Sequence, residues 1–316
     1  SHVTTKLRAP GFKVDGKHVF ITGGSTGLGL AVAKQYARAG AKVSLIARRL
    51  ENLTAAKAVV EAESPRCERA AVFIQSCDVT DAAAVQRAVD AAAQHHGRAV
   101  DHLVCSAGIS LPDYFLKTDP ALFPKITNAN YFGVVHAVKA AVPAMLAQRE
   151  GGHVVIVSSA LALLSWVGFS HYASSKYATR GLAEALRAEL EPLGVRVSIF
   201  YPGNIDTPMY VEEARNKPEE SKVIEGASEL LHPDVVAQSL IDGVRDGQFS
   251  ITNEGLVFLV RVLASGGGPR ANSALELLLL PLAFVVQIGF GFFMDFVVGQ
   301  SARAQRREAA RARKSV

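Results

Sequence analysis

Between residues 17 and 203, short apolar runs alternate with longer stretches whose apolar residues recur at helical spacing. This alternation predicts successive βαβ units, which form a parallel sheet covered by helices on both faces. Because the series is continuous and has no internal repeat, we expect one α/β domain of the Rossmann type, with a doubly wound sheet. The predicted strands are 18–22, 42–47, 71–77, 102–106, 153–159 and 196–201. The predicted helices are 29–39, 50–62, 82–95, 132–148, 173–191 and 233–243.

A glycine-rich turn follows the first predicted strand. Its sequence, TGGSTGLG, runs from Thr22 to Gly29 and opens the first predicted helix. A phosphate group binds where backbone N–H groups can approach it closely at a helix N-terminus, and glycines permit that approach. The turn therefore predicts a site for the phosphates of a dinucleotide. The residues expected to form it are Gly23, Ser25, Thr26, Gly27, Leu28 and Gly29.

The end of the second predicted strand indicates which dinucleotide binds. Folds that take NAD usually carry an acidic residue there, which binds the ribose 2′-hydroxyl. This chain has Arg48 and Arg49 instead, and guanidinium groups suit a 2′-phosphate by charge and geometry. Ser25 and Thr26 could add hydroxyl donors to the same phosphate. The pattern favours NADPH over NADH, and the alternative is that both arginines are ordinary surface residues.

Two residues at the end of the third predicted strand are candidates for the adenine end of the cofactor. Asp78 could accept a hydrogen bond from the adenine amino group, while Val79 could pack on the ring. The alternative is that Asp78 caps the next helix, a role for which Asp81 competes.

Tyr172 and Lys176 lie one helical turn apart, and Ser159 precedes the tyrosine by thirteen residues. Reduction of a ketone needs a proton donor at the carbonyl oxygen when hydride reaches the carbon. Tyrosine has a pKa of about 10, so it serves poorly near neutrality unless a cation stabilises its phenolate. Lys176 lies four residues after Tyr172 on the same helix face, so its ammonium group can approach the tyrosine hydroxyl. Ser159 can hold the carbonyl oxygen by a hydrogen bond. Three other serines could in principle take the role of Ser159, but their spacing from Tyr172 makes them less suitable: Ser158, Ser174 and Ser175.

Together with three further motifs, these residues resemble the signature of the short-chain dehydrogenase/reductase superfamily over residues 15–210. The further motifs are Cys105-Ser106-Ala107-Gly108, Asn130-Tyr131-Phe132-Gly133 and Pro202-Gly203. The resemblance implies that Tyr172 is the general acid/base, and that Lys176 binds the nicotinamide ribose and lowers the pKa of the tyrosine. It also implies that Ser159 orients the substrate and that Asn130 positions a water in a proton relay. The other cofactor contacts that it implies are Ala107, Gly108, Pro202, Gly203, Ile205 and Thr207.

The same resemblance raises one question and one expectation. Many members of the superfamily have two asparagines where this chain has Cys105 and Ser106, a departure that puts sheet packing in doubt. Members usually pair through helices that correspond to 132–148 and 173–191, so we expect a homo-oligomer, either a dimer or a tetramer.

Residues 204–232 are polar and turn-rich, which is typical of a substrate loop. Segments 207–213, 217–219 and 224–226 resemble the loop pattern of the 3-ketodihydrosphingosine reductases, a family with an apolar C-terminal membrane segment. That family reduces 3-ketodihydrosphingosine to dihydrosphingosine with NADPH, in sphingolipid synthesis at the cytosolic face of the endoplasmic reticulum. The resemblance implies a long-chain keto-amine lipid as substrate. The acids that could meet its ammonium group, unless they are simply exposed loop charges, are Glu212, Glu213, Glu219 and Glu220.

Two other functions stay open at this point. A membrane-associated reductase of steroids, retinoids or acyl ketones would carry the same core motifs. A non-catalytic sensor that binds NADP is the third possibility, and the intact set of Ser159, Tyr172, Lys176 and Asn130 argues against it.

Residues 277–294 form an uncharged apolar run of eighteen residues. As a helix this run would be about 27 Å long, which only just crosses a hydrocarbon core of about 30 Å. Pro281, Gly289 and Gly291 are expected to interrupt it. We expect the run to contact membrane lipids, either spanning the bilayer or dipping into it; a buried core helix or an oligomer interface is the alternative.

The charge of the chain is concentrated in its C-terminal tail. Between residues 303 and 314, six basic residues against one acid account for the whole formal net charge of +5. Such a tail favours anionic lipids on the cytoplasmic side of a membrane. Because the remainder is near neutral, a nucleic-acid-binding surface is not indicated. The three cysteines have no metal-ligand spacing, so no metal site is expected, and they fit a reducing compartment.

These patterns predict four regions along the chain. An N-terminal extension, 1–16, has no apolar core of the kind that a secretory signal needs. A catalytic domain, 17–262, precedes a hydrophobic membrane-associated segment, 263–302, and the basic tail, 303–316. With the resemblance, this organisation implies a protein of the endoplasmic reticulum membrane whose catalytic domain faces the cytosol.

Overall fold

The computed structural model describes residues 14–64, 72–264 and 273–314. Within these ranges, seven strands form one parallel sheet in the order β3-β2-β1-β4-β5-β6-β7. The strands are β1 His18–Thr22, β2 Lys42–Ala47, β3 Val72–Ser76, β4 His102–Cys105, β5 Gly152–Val157, β6 Val195–Tyr201 and β7 Ser250–Thr252. The strand order reverses between β1 and β4, and a crevice for ligands opens at such a switch point.

Helices cover both faces of the sheet, so the predicted doubly wound Rossmann-type fold is confirmed. The helices are α1 Gly27–Arg38, α2 Leu50–Glu63, α3 Ala82–His96, α4 Leu122–Thr127, α5 Gly133–Ala147, α6 Ser170–Leu190, α7 Pro208–Glu213, α8 Glu219–Glu225, α9 Pro233–Arg245, α10 Gly255–Ala264 and α11 Ser273–Lys314. Because side chains alternate along a strand, Phe20 of β1 joins one core cluster while Val19 and Ile21 join the other. Two buried cores thus hold the sheet rigid beneath the crevice.

All six predicted strands are present, with ends that shift by one or two residues. The predicted strand 153–159 ends at Val157, which leaves Ser158 and Ser159 in the turn beyond the sheet edge. The three-residue β7 was not predicted, because it is too short to show an alternating pattern. The predicted break at residues 266–269 lies outside the described residues, as does most of the N-terminal extension.

The expected interruption of the apolar C-terminal run is wrong. Helix α11 continues through Pro281, Gly289 and Gly291 to Lys314. A proline removes one backbone donor, and a helix accommodates that loss when the surrounding residues favour helix. Its stretch Ala274–Ala304 is long and apolar enough to cross a membrane, with a mean hydropathy of 2.3. A fully buried core helix is excluded, since most of this stretch is exposed.

Candidate active site

A cleft of about 910 Å³ opens above the carboxyl ends of β1, β2, β4, β5 and β6. Every residue that the sequence analysis assigned to the cofactor lines this cleft, and so do Ser159, Tyr172 and Lys176. Of the predicted catalytic and cofactor-binding residues, Asn130 alone does not line the cleft, and its side chain is buried. Residues that are distant in sequence therefore meet at one place in the fold.

The glycine turn between β1 and α1 is built for close backbone approach. Gly23 has a φ of +69°, and a Cβ placed on it would lie 2.8 Å from the Cα of Ala107. The N–H of Gly23 donates to the carbonyl of Ile46 at 2.7 Å, which ties the turn to β2. Thr26 precedes α1 and makes no side-chain capping bond within the described part of the chain. The first N–H groups of α1 can therefore serve a phosphate, and these residues fit a dinucleotide.

The departure at Cys105 and Ser106 leaves the sheet intact. Cys105 is buried in the core, and the N–H of Ser106 donates to the Thr22 carbonyl at 3.2 Å. The next N–H, of Ala107, donates to the Thr22 hydroxyl at 3.3 Å. Backbone bonds and a threonine hydroxyl thus join β4 to β1 beside the glycine turn.

Arg48 and Arg49 are exposed at the edge of the cleft, where β2 ends. The guanidinium group of Arg49 lies 3.0 and 3.2 Å from the side-chain oxygen of Asn52 when that amide is oriented to accept. Among the described residues, the side chain of Arg48 has no hydrogen-bond partner. Both side chains are therefore placed to reach a group bound next to β2.

The alternative that Asp78 caps the next helix is wrong. Asp81 is the N-cap of α3, and its carboxylate accepts from the N–H of Ala84 at 3.0 Å. Asp78 instead accepts from the N–H and the hydroxyl of Thr80, both at 2.9 Å. Val79 is mostly buried and packs against Gly133, where a Cβ would come within 2.7 Å. Both Asp78 and Val79 line the cleft beyond the end of β3.

Helix α6 holds Tyr172 and Lys176 on its buried face. The ammonium nitrogen of Lys176 lies 5.6 Å from the centre of the Tyr172 ring and donates to the carbonyl of Val157 at 3.1 Å. Burial lowers the pKa of Lys176 to about 8. Both side chains therefore lie in a water-poor environment, where a neighbouring charge has a large effect on their pKa values.

The pKa of Tyr172 lies above its usual value, opposite to the lowering that the resemblance implies. Burial is the main cause, and the nearby carboxylate of Glu213 adds to it. A hydrogen bond with the Ser159 side chain opposes the shift, and Glu225 raises the pKa further. The phenol is thus protonated at neutral pH, which is the form that can donate a proton to a carbonyl oxygen.

The serines near Tyr172 are distinguished by their partners. Ser159 accepts from the N–H of Leu161 at 3.1 Å and turns its hydroxyl toward Tyr172. Ser158 also lines the cleft, but it is buried and donates to the Lys176 carbonyl at 3.2 Å, a bond that suits the structural role expected of it. Ser174 and Ser175 bond to backbone carbonyls of their own helix.

Asn130 lies in a π-helical turn, Asn128–Phe132, between α4 and α5. Its side chain accepts from the Ile109 N–H at 2.8 Å and donates to the Ile109 carbonyl at 3.0 Å. It also donates to the Ser175 hydroxyl at 3.0 Å. The side chain therefore locks the loop after β4 to α6, and π-helical turns of this kind are frequent at functional sites.

Part of the substrate end of the cleft could not be predicted from the sequence. Of the four acids proposed to meet an ammonium group, Glu212 and Glu213 line the cleft. Glu219 is exposed and pairs with a lysine, whereas Glu220 is buried and accepts from a tyrosine hydroxyl. Glu225 lines the cleft and was missed, because nothing local distinguishes it from other loop acids. Two aromatic residues were also missed, Trp166 and Phe290, and Phe290 belongs to α11.

Comparisons with known proteins agree with this geometry. The family model for "short chain dehydrogenase" matches residues 17–218. The chain belongs to the short-chain dehydrogenase/reductase family. It is similar to the 3-ketodihydrosphingosine reductase of Dictyostelium discoideum, with 35% identity over 291 residues that cover 88% of this chain and 86% of the relative. The reductase of the same name from Bos taurus is 35% identical and covers 80% of this chain and 76% of its own.

Solved structures support the same assignment. A short-chain dehydrogenase/reductase from Burkholderia phymatum in complex with NAD superposes with a TM-score of 0.70 at 26% identity, covering 79% of this chain and 94% of its own. Levodione reductase superposes with a TM-score of 0.68 at 26% identity, covering 76% and 97%. Within its family the chain is a member of the 3-ketodihydrosphingosine reductases, and it is an oxidoreductase that uses a nicotinamide cofactor.

Proposed function

We propose that this protein reduces 3-ketodihydrosphingosine to dihydrosphingosine with NADPH, a step of sphingolipid synthesis. The observation that carries the proposal is the convergence of Ser159, Tyr172 and Lys176 in one cleft, in a chain whose curated relatives are named for this reaction.

Each side chain of the catalytic set has a separate role in the proposed reaction. When bound, NADPH supplies hydride to the carbonyl carbon of the substrate. Tyr172 donates its phenolic proton to the carbonyl oxygen, which Ser159 holds by a hydrogen bond. Lys176, with a pKa of about 8, is mostly charged at neutral pH and stabilises the phenolate that remains. Asn130 acts as a positioning residue for the water that returns a proton to Tyr172.

The preference for NADPH rests on charge at the end of β2. Arg48 and Arg49 line the cleft there, and no acidic side chain follows the strand directly. A ribose 2′-phosphate would meet two guanidinium groups, whereas a 2′-hydroxyl would lack its usual carboxylate partner.

At the end of the cleft opposite Arg48 and Arg49, carboxylates are placed to bind the substrate's ammonium group. Glu213 and Glu225 both line the cleft and share Lys217, whose ammonium nitrogen lies 3.3 and 2.5 Å from them. Two carboxylates against one lysine leave one negative charge. A substrate ammonium would balance that charge, and it would also weaken the influence of both carboxylates on Tyr172.

Helix α11 supports a location at a membrane, and the basic tail supports its cytoplasmic side. We place the protein at the endoplasmic reticulum with the catalytic domain in the cytosol, as a dimer or tetramer. A long alkyl chain is costly to move into water, at about 0.8 kcal/mol per CH₂, so an enzyme at the bilayer gains access to its substrate.

The test is NADPH oxidation by the detergent-solubilised full chain with 3-ketodihydrosphingosine, and with NADH as the control. We expect turnover with NADPH and little with NADH. Turnover with NADH alone would refute the cofactor assignment. Absence of turnover while NADPH still binds would refute the substrate and direct attention to steroid, retinoid or acyl ketones.

A further inference from the structure

Helix α11 is fastened to the catalytic domain at three places along its length. Near its start, the carboxylate of Glu276 accepts from the guanidinium group of Arg261 in α10 at 2.7 Å, and both side chains are buried. Farther along, the ring of Phe290 lies 6.5 Å from the ring of Trp166. Near residue 301, the hydroxyl of Ser301 forms a hydrogen bond with the carboxylate of Glu220 in α8. The contacts extend over 25 residues, or about 37 Å of helix.

The burial of side chains along α11 agrees with these three contacts. Residues that are buried or partly buried recur at spacings of three and four along one face of the helix. Those at these spacings are Glu276, Leu279, Ala283, Val286, Phe290, Met294, Val297 and Ser301, and the other partly buried residues between Glu276 and Ser301 are Leu280, Gly291 and Gly299. Large apolar side chains on the other face are exposed, with Leu278 at 76%, Val285 at 66% and Phe292 at 73%. One face of α11 therefore packs on the domain while the other presents an apolar strip.

This geometry conflicts with a simple membrane span. The part of α11 between residues 276 and 301 is longer than the hydrocarbon core of about 30 Å. If it crossed the bilayer, the parts of the domain packed on it would have to enter the hydrocarbon, including buried Arg261 and Glu220. Charged groups are expensive there. A span would also place the basic tail across the membrane from the catalytic domain, whereas the proposed function places both in the cytosol.

We infer that α11 lies in the plane of the membrane, with its apolar strip in the lipid, and that its inner face closes the cleft around the substrate's alkyl chain. The occupant of the strip is an anionic bilayer, because six basic residues follow the apolar part of the helix directly. Within the described part of α11, Phe290 is the residue that lines the cleft, and the same lining includes Leu256 and Val260 of α10. An alkyl chain can thus pass from the catalytic centre along α11 into the bilayer.

The position of the helix is tested by protease protection. The full chain with a C-terminal epitope tag is placed in sealed microsomes, and protease is added outside. We expect the tag and the catalytic domain to be digested together without detergent, while a lumenal marker stays intact. A tag that survives until detergent is added lies across the membrane and would overturn the inference.

The lipid contact is tested by flotation with vesicles that contain phosphatidylserine. Phe292→Glu puts a charge on the apolar strip, and we expect about tenfold weaker vesicle binding. Unchanged vesicle binding together with loss of a dimer would show that a second copy covers the strip, and would also overturn the inference.

The role of Phe290 rests on the proposed function and is tested by the chain-length profile. Phe290→Ala removes contact equal to roughly two CH₂ groups, so we expect kcat/KM for a long-chain keto-amine to fall about tenfold relative to a short-chain one. Leu193→Ala is the control, because Leu193 is exposed in the turn before β6 and belongs neither to the cleft nor to α11, and it should keep the wild-type ratio. If the wild-type protein reduces both ketones and Phe290→Ala keeps the same ratio, the inference fails. If the wild-type protein reduces neither, the proposed function fails instead.

Discussion

Three buried histidines and one partly buried histidine, at the edge of the sheet where the strands begin, should make the fold sensitive to mild acid. His18 and His102 begin the neighbouring strands β1 and β4, His153 is the second residue of β5, and His96 ends α3. His18 and His96 both contact the Ser44 hydroxyl, at 2.9 and 3.2 Å. Burial is the largest cause in each case, and it lowers the pKa to about 4 for His18 and His102, to about 3 for His96, and well below the usual value for His153.

The direction of the pH effect follows from these shifts. A histidine with a pKa lowered in the folded state binds a proton first in the unfolded state, near pH 6.5. The free energy of unfolding is therefore unaffected above that pH and falls as the pH drops toward the folded-state pKa. At pH 5 the loss is about 2 kcal/mol for a single histidine such as His102. Domains have a total stability of about 5–15 kcal/mol, so several such losses should make the protein markedly less stable at pH 5 than at neutral pH.

Urea unfolding of the detergent-solubilised protein between pH 7.5 and pH 5, roughly the window in which these groups titrate, measures the effect. His102→Gln removes one titrating group and keeps a polar partner for the Tyr36 hydroxyl, which lies 3.1 Å from His102. We expect this variant to lose about 2 kcal/mol less than the wild-type protein over the interval. The control is His232→Gln, which removes a histidine that is 67% exposed. A wild-type stability that stays constant to pH 5, or a His102→Gln slope equal to that of the wild-type protein, would refute the reasoning.

Three further predictions concern the active site. Tyr172→Phe should lower kcat about a hundredfold or more while NADPH still binds, measured by fluorescence, because the proton donor is lost; unchanged turnover would remove the proposed acid. Arg48→Asp should cut the preference for NADPH over NADH about tenfold to a hundredfold in kcat/KM, since a charge-assisted bond to phosphate is replaced by repulsion; an unaltered ratio would show that Arg48 is a plain surface residue. Gly23→Ala should weaken NADPH binding about tenfold, because its Cβ would collide with Ala107 at 2.8 Å on a backbone that disfavours side chains; Gly255→Ala, where a Cβ meets nothing within 4 Å, should bind as the wild-type protein does.

Much of the cofactor half of the molecule could be predicted from the sequence, because its signals are local. The TGGSTGLG turn follows its strand directly, and Tyr172 and Lys176 share one helix, so short-range geometry already determines their neighbours. Apolar periodicity likewise identified six of the strands, since a strand buried on both faces must be apolar along its length.

The substrate half depended on contacts between residues that are far apart in the chain. Glu213, Glu220 and Glu225 are chemically equivalent in sequence, and only the folding of α7 and α8 against the cleft decides which of them face the ligand. The π-helical turn at Asn130 could not be predicted from the sequence either, because the side chain of Asn130 forms hydrogen bonds with Ile109 and Ser175, which are distant in the chain.

The sequence by itself determined the fold class, the dinucleotide turn, the catalytic residue types and the presence of an apolar helix suited to a membrane. Only the tertiary structure decided that this helix is continuous and packs lengthwise on the domain, with Phe290 at the cleft. The physical reason is that hydropathy reports how much apolar surface a segment has, whereas the partner of each face is set by long-range contacts such as the buried pair of Arg261 and Glu276.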